Sequence, residues 1–350
     1  MVFKCIDRVN DVLSFKVFAD SLLYVVKSSN SLFLNKVLLD QNVEPGSYIF
    51  KCGKVLYSKN KAIYYDNGFI AEKSLLIQKD HSGCEGLIVM GDYELINYAV
   101  AGDYEYLNIQ SGAISHISRL QNITYILLSS SQVFFASKSE IYSLSVPNPE
   151  KLSWRNNLAK LCAFTNSFKE KKDYEIRQFI GVHKDQLIVQ LTDATLLFLN
   201  IGNGSKVHTL HLNESHPFKK NSVYDDDYPP HLVDDKLIWL NRQRLLEIDL
   251  NTYDIEIKKD YFNVPKKEQF RFMHSTHFEG KIYFVADYGW QYVTPSRVGV
   301  MDGNTGEIIW EQQLEKTGGL PEAPKVTSDK LFIRTARGEL YIFEKSDFST

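Results

Sequence analysis

Cysteine is scarce in this chain of 350 residues, and its four copies, Cys5, Cys52, Cys84 and Cys162, stand far apart. No CxxC pair and no His/Cys cluster surrounds them, which excludes the common zinc frameworks. At this length they read as free thiols of a reducing compartment. Long apolar runs are also missing. No window reaches about eighteen apolar residues, so no helical membrane span is expected. The N-terminal MVFKCIDRVNDVLSFKVF is broken by charges every few residues. It has no apolar h-region and no small-residue cleavage site, so no secretion signal is expected. A positive excess is absent as well: the formal net charge is −3, and no global basic field gathers nucleic acid. Nucleophile elbow, P-loop, HExxH and Rossmann glycine fingerprints are all lacking. A Ser–His–Asp arrangement assembled from distant strands would leave no mark in the sequence. The expectation is a soluble, cytoplasmic protein without a metal or cofactor.

Sustained 3.6-residue apolar spacing is missing too; the best helical candidate is the short NNLAKLCAFTNSF at 156–168. What the chain does have is strand signal. Hydrophobic content is 44%, charged content 24%, and there are 21 Phe and 20 Tyr, residue types that favour half-buried pleated surfaces. One unit recurs: a short apolar strand, a polar turn and an alternating strand. Copies lie at 22–35, 54–65, 94–109, 133–145, 187–201, 237–250, 282–302 and 331–344. Their starts are roughly 30 to 55 residues apart, a propeller-type spacing. Further apolar runs such as 86–91, 178–182, 206–212 and 306–314 bring each unit to the three or four strands of a propeller blade. A lone unit cannot bury both faces; stacking buries them, and closing the ring leaves no terminal unit exposed. The last unit, 324–346, supplies three strands, and Val2–Ile6 is a strand with no hairpin of its own. The expectation is one all-β domain over 1–350: a closed β-propeller of seven or eight four-stranded blades, with the strand at 2–6 completing the last blade.

The ends of the hairpins share a further pattern. Asp302-Gly-Asn-Thr305-Gly306 leads into Glu-Ile-Ile-Trp310. Asn108 to Gly112 leads to His116, Asn200 to Gly204 leads to His208, and Asp249 to Tyr253 leads to Ile257; Trp154 holds a comparable place. An Asp or Asn side chain bonds the backbone of the turn that follows it, and Gly supplies positive φ where the chain reverses. DGNTGEIIW resembles the Asp-x-x-Thr-Gly-x-x-x-Trp repeat of the quinoprotein-like (PQQ-repeat-like) β-propellers, where the tryptophan docks between blades. The resemblance implies fold roles for Asp302, Thr305, Gly306 and Trp310. It implies no cofactor residues: the quinone dehydrogenases are secreted and carry adjacent cysteines and calcium-ligand acids, and this chain has no adjacent cysteine pair. WD40-like scaffolds are similar in architecture only, because the Gly-His and Trp-Asp signatures are missing.

Several segments offer contact chemistry, each with a bland alternative. YDDDYPPHLVDD at 224–235 holds Tyr224, Asp225, Asp226, Asp227, Tyr228, Asp234 and Asp235 around two prolines. It reads as an acidic loop for a basic partner or a cation, or as a solvated connection; its spacing is not that of an EF-hand. ADYGWQYVTPSR at 286–297 places Tyr288, Trp290, Tyr292 and Arg297 in an expanded hairpin. These residue types are enriched at binding hot spots, unless the loop folds onto its own aromatics. Basic and aromatic residues interleave at 168–177 and 264–272, a mixture that suits single strands, but interspersed acids favour solvated loops. The pairs His208/His211 and His274/His277 are three apart and face opposite sides of a strand, so neither is expected to converge on a metal.

The function expected is a non-catalytic protein-binding module. In its most concrete form it is a cytoplasmic immunity protein that caps and neutralises a toxin, its acids meeting a basic domain such as a nuclease. The alternatives are an enzyme or a sugar or small-molecule binder using the central channel, and a WD40-like assembly scaffold.

Overall fold

The computed structural model describes residues 2–43, 48–51, 54–59, 62–66, 73–78, 86–89, 94–98, 104–108, 114–117, 124–129, 132–145, 148–161, 163–165, 171–192, 194–212, 228–261, 270–288 and 295–346. Among these, eight four-stranded antiparallel sheets follow one another along the chain. We number them as blades: 1 (12–40), 2 (48–78), 3 (86–117), 4 (125–157), 5 (176–211), 6 (231–260), 7 (270–313) and 8 (325–346). In blades 1 to 7 the strands pair in chain order. Each of the eight hairpins seen in the sequence supplies the second and third strands of one blade.

Blade 8 takes its fourth strand from the other end of the chain. Val2–Val9 pairs antiparallel with Leu340–Ser346, Val2 opposite Ser346 and Val9 opposite Leu340, with a bulge between Cys5 and Asp7. Blade contacts then run all the way round. Ser14 and Lys16 of blade 1 bond Tyr48 of blade 2, each later blade touches the next, and blade 8 touches both blade 7 and blade 1. Expected closure by the N-terminal strand is therefore present, and the strand runs on to Val9.

Most of the core lies between blades. Leu196, Phe198 and Leu210 of blade 5 pack on Trp239, Leu246 and Ile248 of blade 6. Comparable clusters join blades 4 and 5, 6 and 7, 7 and 8, 8 and 1, and 1 and 2. Burying each such side chain contributes roughly 1.5–3 kcal/mol, so every blade depends on its neighbours.

The DxxTG turn performs its expected role. Asp302 Oδ1 accepts the N–H groups of Asn304 and Thr305, both at 2.9 Å, and Gly306 takes φ 71°. Asn200 and Asp249 hold the equivalent turns through the same bonds. A large residue from the outer strand of the preceding blade then rests on the turn or blade beside it. Trp154 of blade 4 donates its indole N–H to the Ile201 carbonyl at 2.7 Å. His208 of blade 5 stacks on Tyr253 of blade 6 at 4.0 Å. Tyr261, just after blade 6, donates to the Gly306 carbonyl. Trp310 of blade 7 packs against Phe3 at 5.2 Å and Phe343 at 5.8 Å in blade 8. The copy between Asn108 and His116 falls largely outside the described residues.

The helix expected over 156–168 is one turn only, Leu158–Leu161. Leu158 is buried between blades 4 and 5, and the chain then forms a ladder of Ala163–Thr165 with Lys171–Asp173. So short an apolar stretch has too few turns to offset helix nucleation.

Candidate functional site

Antiparallel pairing fixes which connections share a face. Turns between first and second strands, and between third and fourth, leave one rim; turns between second and third strands, and links between blades, leave the other. The first rim has short turns, such as 184–185, 234–235, 279–280 and 303–307. The second is where the strand ends joined by the long segments 158–175, 212–230, 261–269, 289–296 and 314–324 lie. We call these the turn face and the wide face. The acidic segment and the aromatic hairpin loop both connect strand ends on the wide face.

Tyr224, Asp225, Asp226, Asp227, Trp290 and Tyr292 lie outside the described residues. Tyr228 is half-buried; its carbonyl accepts the Trp239 indole N–H at 3.0 Å, and its ring meets His274 edge-on at 4.9 Å. Asp234 and Asp235 do not join it. The inner strand His231–Val233 separates them from Tyr228, so they occupy a turn on the opposite rim. There Asp235 lies 3.3 Å from Lys184 and 3.2 Å from His183 of blade 5. The backbone of Tyr288 ends the strand Lys281–Tyr288. Arg297 points along its own sheet, to Glu311 and Gln313, each at 3.3 Å. The described aromatics of the two basic segments turn inward: Tyr174 and Phe272 are buried, which takes them away from any nucleobase.

The histidine pairs diverge, as their spacing predicts. His211 Nδ1 meets the Tyr174 hydroxyl at 3.0 Å while His208 stacks on Tyr253. His274 meets Tyr228, and His277 faces His231, ring centres 6.4 Å apart. Among the described residues no three His, Cys, Asp or Glu side chains gather as metal ligands.

Reading the sequence missed the residues that meet at the inner strands. His231 of blade 6 lies with Nε2 2.8 Å from Ser275 Oγ of blade 7. Burial, then the charge of His277, pushes the His231 imidazole down to about 4. It is therefore neutral near pH 7, and among the described residues it has no carboxylate partner, so the pair lacks the third member of a hydrolytic triad. Lys16 of blade 1 donates to the Tyr48 carbonyl at 2.6 Å, its ammonium 5.1 Å from the Tyr48 ring centre. Burial, then the charge of Lys325 in blade 8, holds Lys16 below the ordinary lysine range. Glu322 is paired with Arg334 at 2.5 Å. The missed signal was charge by strand position: His231, Ser275, Lys16, Tyr48 and Lys325 fall on the first strand of their blades, whereas the sequence drew attention to loops.

No family model matches the chain, and no curated protein matches it in sequence. Solved structures do match its shape. The computationally designed Ika8 protein is 11% identical over 96% of both chains, with a TM-score of 0.65. BamB from Moraxella catarrhalis, a PQQ-like propeller, is 12% identical, covering 98% of this chain and all of its own, at 0.63. The C-terminal WD40 domain of Sif2 is 12% identical over 99% of both chains, at 0.66. With eight four-stranded blades, a shared last blade and turns of the DxxTG type, the chain has the β-propeller fold of these structures.

Proposed function

We propose that the ring is a non-catalytic protein-binding module whose partner seats on the wide face. The observation that supports this reading is the asymmetry of the rims. Every connection of the described architecture longer than a tight turn that carries an acidic or aromatic cluster joins strand ends on that face. Long loops on a rigid scaffold are where binding residues concentrate. The finer form of the reading is a cytoplasmic immunity protein that caps a toxin. It rests on the acids at 225–227, which would steer a basic enzyme surface onto the ring. Asp234 and Asp235, on the other rim, have no part in it.

The test is purification of the tagged full chain from its native cytoplasm at low and high salt. The reading predicts one stoichiometric protein. Its association should slow by about ten-fold in Asp225/Asp226/Asp227→Asn and lose its salt dependence. A basic toxin encoded beside this gene would support the finer form. Absence of any partner at either salt would overturn both. A second reading, a small-molecule site in the central channel, is favoured by one observation: polar and titratable side chains of blades 1, 2, 6, 7 and 8 meet at the inner strands.

A further inference from the structure

We propose that the central channel binds a small, multiply charged anion, held by the ammonium groups of Lys16 and Lys325. This rests on the channel reading and is independent of the protein-binding one.

The inner strand of each blade is the one nearest the axis. Together, Val12–Phe18, Tyr48–Lys51, Gly86–Val89, Tyr125–Leu128, Ile176–His183, His231–Val233, Phe270–Phe278 and Lys325–Val326 contain no Asp and no Glu. They do contain Lys16, Lys51, Arg177, Arg271 and Lys325, and four histidines. The chain as a whole holds 43 acids against 40 Lys and Arg, and acids do occur on second, third and fourth strands, among them Asp287, Asp302 and Glu311. Positive charge is thus sorted to the axis of a protein that is net negative. Acids come near it from outside the inner strands only. Asp287 stands opposite Arg271 in the ladder, and Glu322 is engaged by Arg334.

Lys16 and Lys325 sit on touching inner strands of blades 1 and 8. Lys16 is half-buried with a backbone carbonyl and an aromatic face for company. Neither lysine has a carboxylate partner among the described residues. The charge of Lys325 is felt at Lys16 across the joint of blades 1 and 8; like charges repel in a medium that screens them poorly, and an anion held by both converts that repulsion into two attractions. Low-dielectric walls focus the field on the axis. Lysine is a point charge without a fork geometry, so the site selects charge density rather than one anion shape. The ligand chemistry is therefore two or more adjacent phosphate or carboxylate groups.

The experiment is isothermal titration of the full chain at low ionic strength with inorganic pyrophosphate, and separately with citrate, using trehalose as a neutral control. The expected result is one saturable site for at least one anion. It should weaken by about ten-fold or more in Lys16→Gln/Lys325→Gln, and stay within about two-fold when the exposed Lys4 and Lys27 are changed to Gln instead. Stronger binding of pyrophosphate assigns a phosphorylated ligand, and stronger binding of citrate a polycarboxylate. If the double variant does not fold, Lys325→Gln alone should weaken binding by about three-fold. No saturable binding of either anion, or equal affinity in the axial and surface variants, overturns the proposal. Trehalose binding without anion binding would overturn it and leave the channel reading standing.

Discussion

Gly204 shows how one atom holds two blades together. A Cβ there would stand 2.6 Å from the Trp154 ring, on a backbone at φ +72°. Gly204→Ala combines left-handed strain with a clash against a docked indole, so it should destabilise by about 2 kcal/mol or more in urea denaturation. Asp302→Ala removes two turn bonds at an exposed site and should cost about 1 kcal/mol. His231 sets a pH dependence. Its folded pKa is depressed to about 4 from 6.5, so the unfolded chain takes up a proton that the folded chain refuses. Stability is full above about pH 6.5 and falls as pH drops toward 4, by up to about 3 kcal/mol from this group. His208, His274 and His277, each lowered chiefly by burial, act in the same direction. His231→Gln should flatten the stability profile over that window, measured by denaturation at stepped pH; an unchanged slope would place the effect elsewhere. At this scale the sequence was most legible where chemistry is local. Asp302, Thr305 and Gly306 announce a turn because the bonds close within five residues. Lys16 and Tyr48, or His231 and Ser275, do not announce themselves, because a turn of the ring brings them together.

The element that matters most is the strand Val2–Val9. It buries Phe3 against Tyr283 and Trp310 of blade 7 and completes blade 8. Trp310→Ala should cost about 2–4 kcal/mol, and its effect should couple to Phe3→Ala by about 1 kcal/mol in a double-mutant cycle. Deleting residues 2–9 leaves blade 8 with a bare edge. The truncated chain should unfold at lower temperature and regain stability when a peptide of residues 1–10 is added in trans; additive mutants and an inert peptide would contradict closure by this strand. The strand was legible because 324–346 reads as three strands and 2–6 as one without a partner. Its length was not legible. The bulge at Cys5 to Asp7 re-phases the alternation, so the continued pairing of Asp7, Arg8 and Val9 does not follow a period of two. The acidic run at 224–235 was misleading for a related reason. HLV is too short to register as a strand, yet it separates Tyr228 from the turn at Asp234 and Asp235, so the run is not one loop.

Viewed whole, the molecule separates its surfaces by topology. Among the described residues, one rim carries tight turns, three of them held by Asp302-type bonds. The other is where the strand ends joined by the long connections lie, and the inner strands carry Lys and Arg but no Asp or Glu. Blade number follows from the same logic: eight hairpins occur in the sequence, and each became one blade because each has its own inner and outer strand. The most direct test of the account is hydrogen exchange on the full chain, free and bound to the stoichiometric partner recovered from its native cells. The account predicts that protection gained on binding falls on 158–175, 212–230, 261–269 and 289–296, with the turns at 184–185, 234–235 and 303–307 unchanged. Protection confined to the turn face, or to the outer strands, would contradict it.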